Sequence, residues 1–166
     1  MLHTLVQIFS QKSLVDFGQE ITSSPALLAV LLSFVVGQFI KVGYFYLRRR
    51  RWDWSLVWSA SGMPSTHASS VSSLATVIGL RTGFNSYLFA IALTFAIIVM
   101  YDARGVRRAA GEQAEALNYL LDIEADIDHR EHKVMLEQRI GHTFPQVIAG
   151  AVLGLLLGLS VNYFVG

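Results

Sequence analysis

The chain of 166 residues has no cysteine, only three prolines and few charged residues, which make up 15% of it. Without cysteine it can form neither a disulfide nor a thiolate metal site. Hydrophobic residues reach 53%, which is far from the balance of soluble proteins. The scarcity of charge therefore predicts a membrane protein, and the length favours a single domain over residues 1–166.

Four apolar blocks account for this composition. They are Ala26–Tyr46, Ala68–Leu80, Tyr87–Tyr101 and Phe144–Phe164. The first and the last are long enough to cross a bilayer alone, and the two middle blocks need a few flanking residues each. A charge at the centre of a span costs roughly 2.5–3.5 kcal/mol on insertion scales, so its near absence is informative. The sequence predicts an all-α fold, an integral membrane bundle of about four transmembrane helices.

The segment before the first block, residues 1–24, has a different pattern. It lacks a basic region ahead of an apolar core and a small-residue cleavage site, so it does not resemble a signal peptide. Its mixture of apolar and polar residues suits a helix that lies in the membrane interface. We therefore expect an interfacial helix before the bundle.

Basic residues are distributed unequally between the two sides of the predicted membrane. If the four blocks cross in turn, residues 47–66 and 102–143 lie on one side. Of the 13 lysines and arginines, all but Lys12 and Arg81 lie on this side or next to it. The positive-inside rule then places both long loops in the cytosol. We expect residues 102–142 to form a cytosolic helical loop that continues the third span and is interrupted at Gly111.

The last block contains Gly150, Gly154 and Gly158, spaced four residues apart. Small residues at this spacing allow neighbouring helices to approach closely. The contact is either within the chain or between two copies in a homodimer, and the spacing fits both.

The start of the second block combines a turn, two hydroxyls and an imidazole. Pro64 fits the first turn of a helix, where its missing N–H costs nothing. Ser65 or Thr66 can then cap free backbone N–H groups, which also point at any bound anion. His67 lies in the same turn and can give a proton to a group bound there. The structural alternative is an ordinary capped helix start.

Further charged and titratable side chains are predicted at the same edge of the bundle. They are Lys41, Arg48, Asp102, Arg107, Arg108 and His142. Lys41 and Arg48 are two helical turns apart, so they point to one face if the first span stays helical. The structural alternatives are arginines that snorkel to lipid phosphates, or Arg107 and Arg108 paired with acidic residues one turn on.

This set of groups suits the cleavage of a phosphate monoester without a metal or other cofactor. Cationic side chains and helix N-termini bind phosphoryl oxygens and offset the charge of the transition state. One imidazole attacks phosphorus and the other protonates the departing alkoxide. Both must titrate near neutrality, as histidine does.

Several segments resemble motifs of the type 2 phosphatidic acid phosphatases (PAP2), which are related to the vanadium haloperoxidases. Residues 62–67 (GMPSTH) resemble their PSGH motif, and Lys41 with Arg48 is similar to their K-x6-R motif. Residues 141–150 (GHTFPQVIAG) are similar to the end of their third motif, and residues 100–118 resemble the signature of a divergent branch. The resemblance implies that His142 is the nucleophile and His67 the general acid, with Lys41, Arg48 and Ser65 as phosphate binders.

Besides Arg49, which stands where a proline would follow the K-x6-R motif, three positions depart from the motifs of that superfamily. Gln146 stands where an aspartate would orient the nucleophilic imidazole, Leu136 where an arginine would be, and Thr66 where a glycine would be. We keep Thr66 among the phosphate-binding candidates because it opens the helix beside Ser65. Our hypothesis is that Arg107 or Arg108 supplies the missing cation and that Asp102 supplies the missing carboxylate.

The leading hypothesis is a cytosol-facing phosphatase of a lipid phosphate such as phosphatidylglycerophosphate, phosphatidate or a polyprenyl phosphate. The alternative is a lipid-phosphate-binding or scaffold protein that has lost turnover, and Gln146 and Leu136 favour it. A third reading is a structural membrane protein whose arginines hold anionic lipid. The expected partners are the bilayer and its lipids, with no nucleic acid. The acidic and histidine-containing stretch Asp126–His132 resembles a metal ligand set but is more typical of a surface turn.

Overall fold

The computed structural model describes residues 18–19, 23–58, 62–128, 136 and 141–165, with the main chain alone at 122–128. Its helices are α1 (Pro25–Arg49), α2 (Thr66–Thr82), α3 (Tyr87–Arg104), α4 (Val106–Asp128) and α5 (Phe144–Val165), with a short 3₁₀ helix at Trp54–Val57. These ranges contain no strand, so the all-α prediction is confirmed. The predicted interfacial helix of residues 1–24 lies largely outside the described residues.

Among the described residues, three stretches are long and apolar enough to cross a membrane alone: α1, α5, and Tyr87–Leu121, which is α3 with the first part of α4. Helix α2 has 17 residues and does not reach that length by itself. It is nevertheless the centre of the bundle, because it packs against α5, α1 and α3. At about 25 Å it nearly matches the hydrocarbon thickness of about 30 Å. The bundle thus consists of three long helices around a short enclosed one.

Small residues allow α2 to occupy this central position. Its buried positions include Ala68, Ser69, Ser73 and Ala75. The Ser69 hydroxyl donates a hydrogen bond of 3.1 Å to the Ser33 carbonyl of α1, which satisfies a polar group inside an apolar bundle. Helices α1 and α3 flank α2 and do not pack against each other in the described part of the chain.

The glycine stripe of α5 faces α2 of the same chain. A Cβ atom on Gly150 or Gly154 would overlap the main-chain carbonyl of Ser65 or Ser69, respectively. Gly158 continues this contact one turn further along α5. The stripe therefore forms an intramolecular helix contact, and this face gives no support for a homodimer.

Helix α2 begins after Pro64, which was predicted to lie in its first turn. Ser65 is its N-cap, with the side-chain oxygen accepting a 3.3 Å hydrogen bond from the Ala68 N–H. Pro64 precedes this cap and therefore lies outside the first turn. Its peptide bond with Met63 is cis. The capping role predicted for Ser65 or Thr66 thus belongs to Ser65, and His67 lies in the first turn as predicted.

The helix that continues from the third span is present, but its break lies at Gly105 rather than at Gly111. Gly105 has a non-helical ψ of −82° and separates α3 from α4. The helix resumes at once, since the Ala109 N–H donates to the Gly105 carbonyl. Gly111 is buried inside the regular part of α4. A glycine in a helix is tolerated where it packs, so its presence alone does not place a break.

Candidate functional site

The site forms where the start of α2, the end of α3 and the start of α5 meet. The Ser65 N–H donates a 3.0 Å hydrogen bond to the Gln146 carbonyl of α5. The His142 N–H donates a 2.9 Å hydrogen bond to the Ala103 carbonyl in the last turn of α3. The last carbonyls of a helix are open to such donors, so the end of α3 fixes the main chain of His142.

Two histidine rings face each other at this junction. The ring centroids of His67 and His142 are 6.0 Å apart, and their planes make an angle of 75°. His142 is only 2% exposed, whereas His67 is partly buried at the wall of a cavity. The prediction that two imidazoles from distant parts of the chain meet is confirmed.

Burial determines the charge state of His142. The pKa of His142 is lowered to about 4, mainly by desolvation and in addition by the nearby His67, Lys41 and Arg107. The ring is therefore neutral at neutral pH and carries a free lone pair. In the described part of the chain neither ring nitrogen has a hydrogen-bond partner, so no described protein group competes for that lone pair.

Lys41 points into the bundle from α1. It is 2% exposed, and its alkyl chain lies under the main chain of Gly62. A Cβ on Gly62 would come within 3.0 Å of the Lys41 Cγ and Cδ atoms, and φ there is +112°. Glycine is therefore required for the loop before α2 to cover this cation.

A cavity of about 380 Å³ has His67 in its wall. Arg107 and Asp102 line it and form an ion pair of 2.8 Å between the Arg107 Nε and Asp102 Oδ2 atoms. Its polar lining consists of Thr66, His67, Ser70, Asp102 and Arg107, and its apolar lining of Phe34, Val71, Phe95, Ile98, Val99 and Ala103. The cavity thus has a polar region beside the imidazole and an apolar wall made by α1, α2 and α3.

Two predicted phosphate binders are not brought to the histidines. Arg48 is exposed in the last turn of α1, where its Nε donates a 3.2 Å hydrogen bond to the Tyr44 hydroxyl. Arg108 forms a 3.0 Å ion pair with Glu112 one turn on, the structural alternative considered for it. The Arg48 side chain thus lies along its own helix, back toward Tyr44 one turn earlier.

Asp102 and Gln146 do not hold the nucleophile candidate. Asp102 pairs with Arg107 rather than with the ring of His142. The Gln146 Oε1 atom accepts a 2.8 Å hydrogen bond from the Thr143 N–H and so caps the start of α5. Thr143-x-x-Gln146 is a capping box, a signal that was present in the sequence.

Gly141 is a site residue that sequence reasoning did not single out. Its φ is +91°, and a Cβ there would lie 2.5 Å from the Arg108 backbone nitrogen. The loop can therefore cross the start of α4 only with glycine at this position. This loop brings His142 to the end of α3. The sequence signal for the role of Gly141 was a glycine directly before a candidate nucleophile.

Leu136 contributes through its main chain. The buried Asn118 side chain donates to the Leu136 carbonyl at 2.9 Å and accepts from the Leu136 N–H at 2.8 Å. The position that resembles an arginine site is thus used to attach this segment to α4. The stretch Asp126–His132, considered above for metal binding, lies outside the residues whose side chains are described.

Comparison with known proteins gives a family match. The sequence profile of the Divergent PAP2 family matches residues 22–157. The chain belongs to this family. Uncharacterized membrane protein YuiD from Bacillus subtilis (strain 168) is 38% identical over 155 residues, which cover 87% of this PAP2-related chain and 98% of the relative. No solved structure matches the chain. The family resemblance drawn from residues 41–150 is confirmed, and so is the membrane character of this PAP2-related protein.

Proposed function

We propose that this PAP2-related membrane protein is a lipid phosphate phosphatase that works through a phosphohistidine on His142. The observation that supports this most is the pair of imidazoles 6.0 Å apart, with the charges of Lys41 and Arg107 close to both. Attack needs a ring nitrogen about 3 Å from phosphorus, and the leaving oxygen needs a proton donor about 3 Å away. Two imidazoles at one junction can supply both groups.

In the first step, the neutral His142 ring attacks phosphorus and a P–N bond forms. The P–O bond to the lipid alcohol breaks, and protonated His67 gives its proton to the leaving oxygen. Free ring nitrogens and a lowered pKa keep His142 unprotonated and able to attack.

In the second step, water attacks the phosphohistidine. His67 now accepts a proton from that water, the P–N bond breaks, and inorganic phosphate leaves with His142 neutral again. The two imidazoles therefore return to their starting states after each cycle.

The charge on the phosphoryl oxygens needs donors and cations in both steps. Lys41 and Arg107 are the cations near the histidines, and Ser65 and Thr66 lie at the N-terminus of α2. Free N–H groups there favour an anion. We propose Arg107, in its pair with Asp102, as the residue that replaces the missing arginine of the third motif.

The substrate we propose is a phosphomonoester with a lipid tail, of the phosphatidylglycerophosphate, phosphatidate or polyprenyl phosphate type. The cavity next to His67 has a polar region and an apolar wall, and α1 and α3 do not close over it. A lipid can therefore keep its tail in the bilayer while its phosphate reaches the histidines. The basic residues at this edge support a cytosolic active site.

One observation favours a second candidate, a lipid-phosphate-binding protein with weak or no turnover. In the described residues no side chain orients the His142 ring, because Gln146 is used to cap α5. Such a protein would bind phosphate or vanadate at the same place without releasing product.

The test is phosphate release from a lipid phosphomonoester in mixed micelles by the purified protein. We expect turnover by the wild type, inhibition by vanadate, and a loss of at least about 10³-fold in His142→Ala, since it lacks the nucleophile. Vanadate binding with no phosphate release from any of the three lipid classes would support the binding protein and contradict the phosphatase.

A further inference from the structure

A second apolar cavity lies on the lipid-facing side of the bundle, between α1 and α5. This groove of about 430 Å³ is lined by Ile40 and Tyr44 of α1, Pro64 of the loop, and Ala149, Val152 and Leu156 of α5, among others. From Ala149 to Leu156 it follows α5 for about 10 Å along the helix axis. Its direction is therefore that of a lipid acyl chain in the bilayer.

The groove is separate from the catalytic cavity. No described residue lines both, and the groove contains neither histidine. The groove is almost entirely apolar, whereas the catalytic cavity has Asp102 and Arg107 in its wall. Whatever binds in the groove therefore offers a hydrocarbon surface to it.

A cation stands at one end of the groove. Arg48 donates from Nε to the hydroxyl of Tyr44, a groove residue, at 3.2 Å, and its Cζ atom lies 5.6 Å from the Tyr44 ring centroid. This contact adds no negative charge, and the ion pairs seen among the described residues do not include Arg48. Arg48 lies one turn beyond Tyr44, toward the end of α1 where headgroups are found.

We propose that the groove binds an anionic phospholipid diester, with one acyl chain against α1 and α5 and its headgroup phosphate on Arg48. The charge of Arg48 is complementary to the phosphate, and guanidinium with the tyrosine hydroxyl offers donors to its oxygens. This gives Arg48 a role away from the histidines, at a site that holds a lipid the protein does not hydrolyse.

The test is native mass spectrometry of the full-length protein in detergent, titrated with palmitoyl-oleoyl phosphatidylglycerol or with the corresponding phosphatidylcholine. We expect the first phosphatidylglycerol to bind more tightly than phosphatidylcholine. Arg48→Gln should weaken that first binding by about tenfold, the size of one charge-assisted hydrogen bond. It should leave phosphatidylcholine binding nearly unchanged.

Matched variants decide whether the effect belongs to the groove. Arg49→Gln removes the same charge from the neighbouring exposed position and should bind phosphatidylglycerol like the wild type. Ala149→Phe fills the groove and should weaken both lipids, whereas Ile148→Phe, on an exposed position outside the groove, should not. Val152→Phe replaces Ala149→Phe if circular dichroism shows that the latter has lost its helices.

Equal losses in Arg48→Gln and Arg49→Gln, or in Ala149→Phe and Ile148→Phe, would overturn the proposal. His142→Ala should bind phosphatidylglycerol normally, because a diester in the groove does not touch the catalytic residues. Loss of binding in that variant would place the lipid in the catalytic cavity and also overturn the proposal. Lipid binding is measured here without phosphatase turnover. The groove proposal and the phosphatase proposal can therefore be contradicted independently of each other.

Discussion

The two sides of helix α2 differ in how closely their neighbours approach. Toward α5, glycines bring the two main chains into contact at Ser65 and Ser69. Between α1 and α3 the bundle stays open and holds the cavity beside His67. The closed side fixes α5, and with it His142, against the start of α2, while the open side leaves room for a ligand. We infer that the close contact of α2 with α5 sets the distance between the histidines, and that the open side between α1 and α3 admits the substrate.

The largest expected effect comes from forcing α2 and α5 apart. Gly154→Leu places a side chain where the Ser69 carbonyl lies, so α2 and α5 must separate. We expect a loss of about 3 kcal/mol or more in the free energy of unfolding, measured by thermal unfolding in detergent.

Gly43→Ala is the control for this substitution, because a Cβ there meets no atom within 4 Å. It should be neutral or slightly stabilising. On the open side, Ser70→Ala should change stability little. Unaltered stability in Gly154→Leu would show that the main chains of α2 and α5 are not in close contact at this position.

The second effect concerns charge at the open side. Arg107→Gln removes the cation that lines the cavity, and we expect a loss of about 10²-fold in kcat/KM. Arg108→Gln changes the adjacent residue, whose partner is Glu112, and should keep most of the activity. Phosphate release from a lipid phosphomonoester gives kcat/KM for both variants. Equal losses in the two would show that Arg107 has no special role compared with Arg108.

The smallest effect is a dependence of stability on pH that results from the buried ring of His142, next to the start of α5. The pKa of His142 is about 4 in the folded protein against an ordinary value of 6.5, so the unfolded state binds more protons between these values. This contribution to stability is complete above pH 6.5 and is lost as the pH falls toward 4. We expect about 1 kcal/mol of it to be lost by pH 5.5.

Chemical denaturation of the wild type and of His142→Gln at pH 7.5 and 5.5 tests this. The variant lacks the titrating ring, so its stability should fall less over this range. An identical fall in both proteins would show that His142 titrates normally in the folded state.

The sequence was sufficient for features that depend on many residues or on long spacing. Apolar runs predicted the helices, and the two motifs that open the second and fourth blocks predicted that His67 and His142 meet. These predictions succeed because burial of apolar surface in a bilayer dominates the fold, whichever way single side chains turn.

Features that depend on one hydrogen bond could not be predicted in the same way. The spacing of Lys41 and Arg48 puts both on one helix face, but Lys41 enters the bundle and Arg48 turns to Tyr44 of its own helix. The break at Gly105 follows from the docking of His142 on Ala103 rather than from glycine alone. Each outcome is set by the local neighbours, which the linear sequence does not display.

The most direct measurement is the search for a phosphorylated His142. With an aryl phosphate as substrate, the aryloxide leaves without help from a general acid. His67→Ala should therefore still transfer the phosphoryl group to His142 and then hydrolyse the phosphohistidine slowly for lack of a base. Mass spectrometry after rapid quenching should find phosphohistidine at residue 142 in His67→Ala and none in His142→Ala. Phosphate release with residue 142 unmodified, or with the phosphoryl group on another residue, would contradict the mechanism.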